Sequence, residues 1–348
     1  MLPAAMLVAT VLAGPRYTAV EIKGLPGFEE LRQEACLTDS GFVVGVGFGP
    51  DANGDFRRQR PFIWREGKTL ALPLPAPADF LIQFSGRGNV IAATALHLTW
   101  KSKDRSPVGP FLVVWNADRT QGLGKPSVSR LKYPVGPVSI ARDGSVWLSY
   151  GPWILRKTPE GAGEIMSGGL ETSNSEFVLQ GTDVGGDLFG MLRGSDGKEP
   201  VARVGGIWYF LHPNGYRGSK VNALNAEGVC VGEVEKARDK IVWYQETEAA
   251  VWGTDLQFRS LAGPGELAST AYAINDHGDI VGSFLHPDEN DFHACPWTGG
   301  HREDLFQVVS GVDLLYADQI NNRGQILAWG ERGDHLPHLF LLSPAKAS

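Results

Sequence analysis

The sequence predicts an all-β fold, a seven-bladed β-propeller of four-stranded blades, closed by an N-terminal strand (Tyr17-Lys23) that completes the last blade. Three observations carry this expectation. A short turn element recurs along the whole chain, an apolar strand recurs behind each copy, and the two chain ends complement each other.

The turn element is clearest at Ile274-Asn275-Asp276-His277-Gly278-Asp279-Ile280-Val281-Gly282. It returns at Ile320-Asn321-Asn322-Arg323-Gly324-Gln325-Ile326-Leu327-Ala328 and at Leu224-Asn225-Ala226-Glu227-Gly228-Val229-Cys230-Val231-Gly232. Looser copies centre on Gly41, Gly88, Gly144 and Gly186. The seven anchor glycines lie 42 to 56 residues apart, about 47 on average, which is the length of one four-stranded propeller blade. Each copy reads as a tight hairpin. The Asn or Asp can bond its own backbone two residues on, and the Gly supplies a positive φ. The following β-branched pair favours pleated backbone. Gly45, Gly190, Gly232 and Gly282 close four of the units and mark a close approach of another backbone.

The second landmark is an apolar strand that often holds Trp. It is seen at Pro61-Phe62-Ile63-Trp64, Pro110 to Trp115, Gly206-Ile207-Trp208, Ala250-Val251-Trp252 and Cys295-Pro296-Trp297. Trp153-Ile154-Leu155 and His338-Leu339-Phe340-Leu341 fill the slot in the third and seventh units. A turn and a short strand follow most of them, as at Gly67-Lys68-Thr69-Leu70 and Gly300 to Leu305. Two hairpins make four strands, which is one blade. The last unit stops after its third strand. Tyr17-Lys23 alternates as a half-buried strand should and supplies the missing fourth.

These residues resemble the extracellular HAF-repeat family of bacterial proteins, whose unit runs Ala-x-x-Ile-Asn-x-x-Gly-x-Ile-Val-Gly, then a loop, then His-Ala-Phe-Leu-Trp. Ala271 to Gly282 with His293-Ala294-Cys295-Pro296-Trp297 is the nearest match, followed by the unit from Ile320 to Leu341. The similarity is strong over about residues 220–344 and fades upstream, where units two to four keep only the Gly and the strand pattern. The resemblance implies a secreted propeller. It brings no catalytic residues, because the family motif is structural.

Residues 1–14 form an apolar run of signal-peptide length, with Val11-Leu12-Ala13 as a cleavage site, although no Lys or Arg precedes it. The domain reading is therefore a leader over 1–14 and a single propeller over 15–348. The expected location is secreted, periplasmic or cell-surface, with cytoplasmic as the alternative. No later run is long and apolar enough for a transmembrane helix. At 348 residues and 43% hydrophobic, the chain can bury a large core. Its 44 glycines and 22 prolines suit many short strands and turns. Phe28 to Gln33 reads as one or two helical turns at most. The net charge of −7 argues against a nucleic-acid partner, and the basic run Arg57-Arg58-Gln59-Arg60 reads as a solvated loop. The three cysteines lack metal-ligand spacing. Cys36 and Cys230 read as small core residues, and a disulfide involving Cys295 stays open. The chain reads as a monomer.

Two loops carry metal-ligating types. Asp51-Ala52-Asn53-Gly54-Asp55 places oxygen ligands at alternate positions, as a calcium loop begins. Phe56 and Phe62 then stand where the Gly and Glu of a complete loop belong, so a polar hairpin loop is preferred. His286, Asp288 and His293 sit in a run of two histidines and three carboxylates. His293 is also the His of the repeat's own third strand, and a solvated acidic loop is the plainer reading. Calcium is thus the one cofactor suggested, weakly. No catalytic motif is conspicuous. The third-strand tryptophans read as blade core rather than as a sugar platform. The connections between second and third strands (about 45–60, 95–109, 191–200, 233–248, 283–292 and 329–337) hold most charges, and Trp100 and Trp243 lie in or beside them. Function usually lives in such loops. The expected function is a binding module that takes an extracellular glycan or a protein on that face. The alternative is a secreted hydrolase or lyase acting on a polysaccharide or small molecule at the axial channel mouth.

Overall fold

The computed structural model describes residues 17–345 apart from 51–55, 76–79, 99–106, 119–121, 132–134, 151–152, 162, 168–175, 183–185, 195–196, 206, 237–245, 286–290, 307 and 334–335. The apolar run over 1–14 lies outside them. Seven antiparallel sheets form a seven-bladed propeller, and no described residue is helical. In chain order the inner strands are Glu30–Leu37, Phe80–Arg87, Val135–Ile140, Glu176–Thr182, Gly218–Leu224, Ser269–Ile274 and Asp313–Ile320. Each blade then steps outwards. The sixth, for example, continues through Ile280–Leu285, Phe292–Thr298 and His301–Arg302. Seven hydrophobic clusters fill the seven spaces between neighbouring blades. Trp64, Trp115, Trp252 and Trp297 are buried in them, so these landmarks are core, as expected.

The anchor glycines do what the hairpin reading requires. All seven take a positive φ, from 57° at Gly88 to 85° at Gly278, a region that disfavours any residue with a Cβ. The closure is also as expected. Tyr17–Ile22 pairs antiparallel with the strand Pro337–Pro344, from Tyr17 opposite Pro344 to Ile22 opposite Leu339, and Ile22 is buried between blades seven and one.

Several expectations need correction. In the fourth blade the third strand is Gly197–Val204, and Ile207–Phe210 with Trp208 is the outer strand. Its Trp therefore marks a different slot from the others. Phe28 to Gln33 forms no helical turn, because strand Glu30–Leu37 begins inside it. Arg58 and Arg60 are not in a loop. They lie in strand Phe56–Arg65 with their guanidiniums over the Phe28 ring, 5.7 and 5.8 Å from its centre. Strands also run further than expected, so the second connection in blade one covers only 51–55. The three cysteines are free and buried, with no disulfide at Cys295.

One irregularity recurs and positions the site. The pairing of inner with second strand slips at Leu81/Gln83, Leu179/Gly181, Val221/Ala223, Ala271/Ala273 and Ala317/Gln319. Blade three also slips, between Val135 and Val138, and blade one slips by two residues between Leu31 and Ala35. In the five slips named first the extra residue, Ile82, Gln180, Asn222, Tyr272 or Asp318, stands six positions before the anchor glycine, and blade seven slips a second time at Leu314/Tyr316. Such a bulge leaves one residue unpaired and re-aims its side chain. The closing glycines fit here. A Cβ on Gly190, Gly232 or Gly282 would overlap the carbonyl of Val178, Lys220 or Thr270, on the inner strand just before the bulge. The crowding expected of these glycines is therefore within each blade.

Candidate functional site

The inner strands and their hairpins line the axial channel, which holds two chemically different rings. At the hairpin end the motif asparagines build the first. Asn275 Oδ1 accepts the backbone N–H groups of His277 (3.0 Å) and Asp279 (2.9 Å), and its Nδ2 donates to the Asn321 carbonyl of the next blade (3.2 Å). Asn225 reaches the Asn275 carbonyl in the same way, and Asn321 reaches that of Thr38. The residue after each Asn extends the chain of bonds. Ala226 N donates to Asp276 Oδ1 (2.8 Å), Asp276 N to Asn322 Oδ1 (2.8 Å), and Asn322 N to Asp39 Oδ1 (2.9 Å). The motif is thus a blade-to-blade tie as well as a turn.

Arg87, from blade two, spans the mouth to Asp276 of blade six with Nη2 to Oδ1 at 2.7 Å. Asn322 Nδ2 donates to Asp276 Oδ2 at 2.8 Å and Asp39 Oδ2 at 3.3 Å. Burial works to raise the Asp276 carboxyl, but the Ala226 N–H, Arg87 and Asn322 outweigh it and hold the group below its ordinary range. Outside this mouth lies an open cup of about 600 Å³. Its rim charges are paired, Arg142 with Glu227 at 3.7 Å and Asp143 with Arg156 at 3.0 Å.

Deeper in, the bulges build the second ring. Gln180, Asn222, Tyr272 and Asp318, from the consecutive blades four to seven, line one cavity of about 390 Å³. In blades one to three the sixth residue before the glycine is Ala35, Ile82 or Val138. Polar groups therefore occupy one side of the channel. Asn222 Nδ2 is used by the Ala271 carbonyl, at 2.9 Å. Gln180 Oε1 is buried with no hydrogen-bond partner among the described residues. The Asp318 carboxyl has no hydrogen-bond or ion-pair partner among the described residues, and burial pushes it up to about 6. Burial is also the main cause that takes the Tyr272 phenol to about 12, with the carboxylates of Glu233 and Asp318 adding to it.

An aromatic line leads from this cavity towards the face of the strand-two-to-three connections. Tyr272 meets Tyr316 edge-on at 6.4 Å between ring centres, and Tyr316 meets Phe292 at 5.8 Å. Phe292 opens the third strand of blade six, directly at that face.

Of the site residues singled out from sequence only His293 is described, and it does not line this cavity. Asp51, Asn53, Asp55, His286 and Asp288 lie outside the described residues, as do Trp100 and Trp243. His293 is buried on the third strand of blade six. Its Nδ1 lies 2.8 Å from Asp304 Oδ2, and its ring stacks on Phe306 at 3.9 Å and 9°. No group of three metal-ligating side chains occurs among the described residues. The bulge residues could have been found by aligning the units on the anchor glycine, because position six before it is apolar in units one to three and polar in units four to seven.

Fold and site together define a seven-bladed propeller with a half-polar axial channel. No protein-family model matches the chain, and no curated protein matches it in sequence. Solved structures do match in shape. A streptogramin B lyase structure is 10% identical with a TM-score of 0.52, over 94% of this chain and 98% of that one. A catalytically inactive virginiamycin B lyase from Staphylococcus aureus, with quinupristin, is 11% identical with a TM-score of 0.51, over 94% and 100%. A chain of the mitotic checkpoint complex is 11% identical with a TM-score of 0.52, over 99% and 100%. At these identities the likeness concerns the fold alone.

Proposed function

We propose that the protein is a binding propeller that takes a small ligand, or the end of a larger glycan or protein partner, into its axial channel from the strand-two-to-three face. The observation that carries this reading is the bulge ring. Four consecutive blades aim polar side chains into one cavity, and two of them, Gln180 and Asp318, hold acceptors that no donor among the described residues satisfies. A buried acceptor without a partner costs stability, and such groups concentrate where a ligand supplies the partner. The cavity is of the size that small-molecule sites use.

The test is a thermal-shift screen against soluble glycans and small polar molecules, run in parallel on Gln180→Trp, which fills the channel. A ligand at about a hundred times its dissociation constant adds about 2.7 kcal/mol. A shift in the wild type that is absent from the variant supports the channel site. A shift that survives in Gln180→Trp puts the ligand elsewhere. A second reading, a secreted hydrolase or lyase, draws support from Asp318, since a carboxyl held near 6 suits proton transfer at neutral pH. Turnover of a bound ligand, lost in Asp318→Asn, would favour it.

A further inference from the structure

The charges and rings around the cavity restrict what can bind there. The charged groups that act on Tyr272 are Glu233 and Asp318, and those that act on Tyr316 are Glu331 and Asp291. All four are carboxylates. Glu233 accepts the Thr270 hydroxyl at 2.6 Å and does not line the cavity, whereas Asp318 lines it with no hydrogen-bond or ion-pair partner among the described residues. Tyr272 lines the same cavity, its ring meets Tyr316 edge-on, and Tyr316 in turn meets Phe292. The same cavity wall also holds Asp39, Asp276 and one basic side chain, Arg87, which is committed to Asp276; Arg142 of the outer cup is paired with Glu227.

We propose that the channel ligand carries a positive organic charge, an ammonium group set on Asp318 with its carbon substituents against the rings of Tyr272 and Tyr316. This rests on the channel being the binding site. Three physical arguments agree. A partly desolvated carboxylate is stabilised strongly by an opposite charge at contact distance, and leaving it alone is costly. Tyrosine and phenylalanine faces attract cations, the more so when water is excluded. Gln180 Oε1 is a third acceptor in the same cavity, and an N–H of the ammonium group or a hydroxyl beside it would satisfy that oxygen. A neutral sugar would answer the aromatic rings but not Asp318, and an anion would meet three carboxylates, Asp39, Asp276 and Asp318, against one arginine already paired. A bare metal ion fits poorly, because the wall presents aromatic rings and a single unpaired carboxylate rather than a cage of oxygen ligands.

The experiment is isothermal titration with matched pairs of probes: glucosamine against glucose, and choline against its neutral isostere 3,3-dimethylbutan-1-ol. The proteins are the full-length wild type, Asp318→Asn, Tyr272→Leu and Gln180→Trp. The expected result is that a cation binds about tenfold or more tightly than its neutral partner. Asp318→Asn should remove that preference while remaining folded, and Tyr272→Leu should weaken the cation more than the neutral probe. Neutral probes that bind as well as cations in the wild type, with binding lost in Gln180→Trp, would overturn the charge inference and leave the channel site standing. Cation binding that persists unchanged in both Asp318→Asn and Gln180→Trp would overturn both. No binding of any cationic probe at millimolar concentration would overturn the charge inference, and the glycan screen would then judge the channel separately.

Discussion

Asn321 follows Asp318 by three positions, yet the two sit in rings of opposite character. At the hairpin ring every motif Asn has both ends of its amide engaged. Asn321 accepts from Arg323 N and Gln325 N and donates to the Thr38 carbonyl and Gln325 Oε1. At the bulge ring, among the described residues, Asp318 has no partner and Gln180 has a stranded oxygen. The first pattern is that of a structural network, which is fully satisfied and rigid. The second is that of a site, where a local rule is broken and the cost is tolerated. The difference teaches that polar residues in a propeller channel are best sorted by whether their bonds are spent.

That comparison can be broken by substitution. The largest effect should come from Asn321→Ala, which strands two turn N–H groups and cuts the tie to blade one. Urea denaturation should show a loss of about 3–4 kcal/mol, at about 1 kcal/mol per bond, and a loss below about 1 kcal/mol would deny the ring its structural role. Asp318→Asn should move stability the other way, with a gain of at most about 3 kcal/mol at pH 7 from a carboxyl raised to about 6. The smallest effect is expected from Arg87→Ala. It removes a half-buried ion pair at the mouth and should cost about 1 kcal/mol near neutral pH. Because Asp276 is held below its ordinary range, that contribution is present above about pH 4 and fades as the pH falls further. A constant Arg87→Ala deficit down to pH 2 would show that the arginine acts through packing instead.

Much of the fold was legible because its signals are local. A glycine that must take a positive φ recurs at Gly41, Gly88 and onward to Gly324, and no other residue serves as well there. The closing strand Tyr17–Ile22 was legible from its alternation and from a seventh unit one strand short. Unit four misled because Trp208 lies on an outer strand, so one aromatic landmark marked two different slots. The Arg57 to Arg60 run looked like loop because its charges hide a strand whose arginines lie over Phe28. The site was harder to read. Tyr272 and Asp318 face the channel only because a bulge turns them there, and a bulge is a property of pairing between strands. What the sequence does hold is the glycine four residues past the anchor, at Gly190, Gly232 and Gly282, which makes room for the inner strand at the bulge.

The measurement that bears most directly on the two-ring account is the stability of the wild type and of Asp318→Asn from pH 4 to pH 7. A carboxyl whose folded pKa is raised binds its proton more tightly in the native state. The wild type should therefore lose stability as pH rises from about 4 to 6, relative to a variant that cannot ionise. The account predicts equal stabilities near pH 4 and a variant ahead by about 2–3 kcal/mol at pH 7. Parallel curves, or a variant that is the less stable of the two at pH 7, would mean that Asp318 is satisfied like Asn321, and the bulge ring would then be structure rather than site.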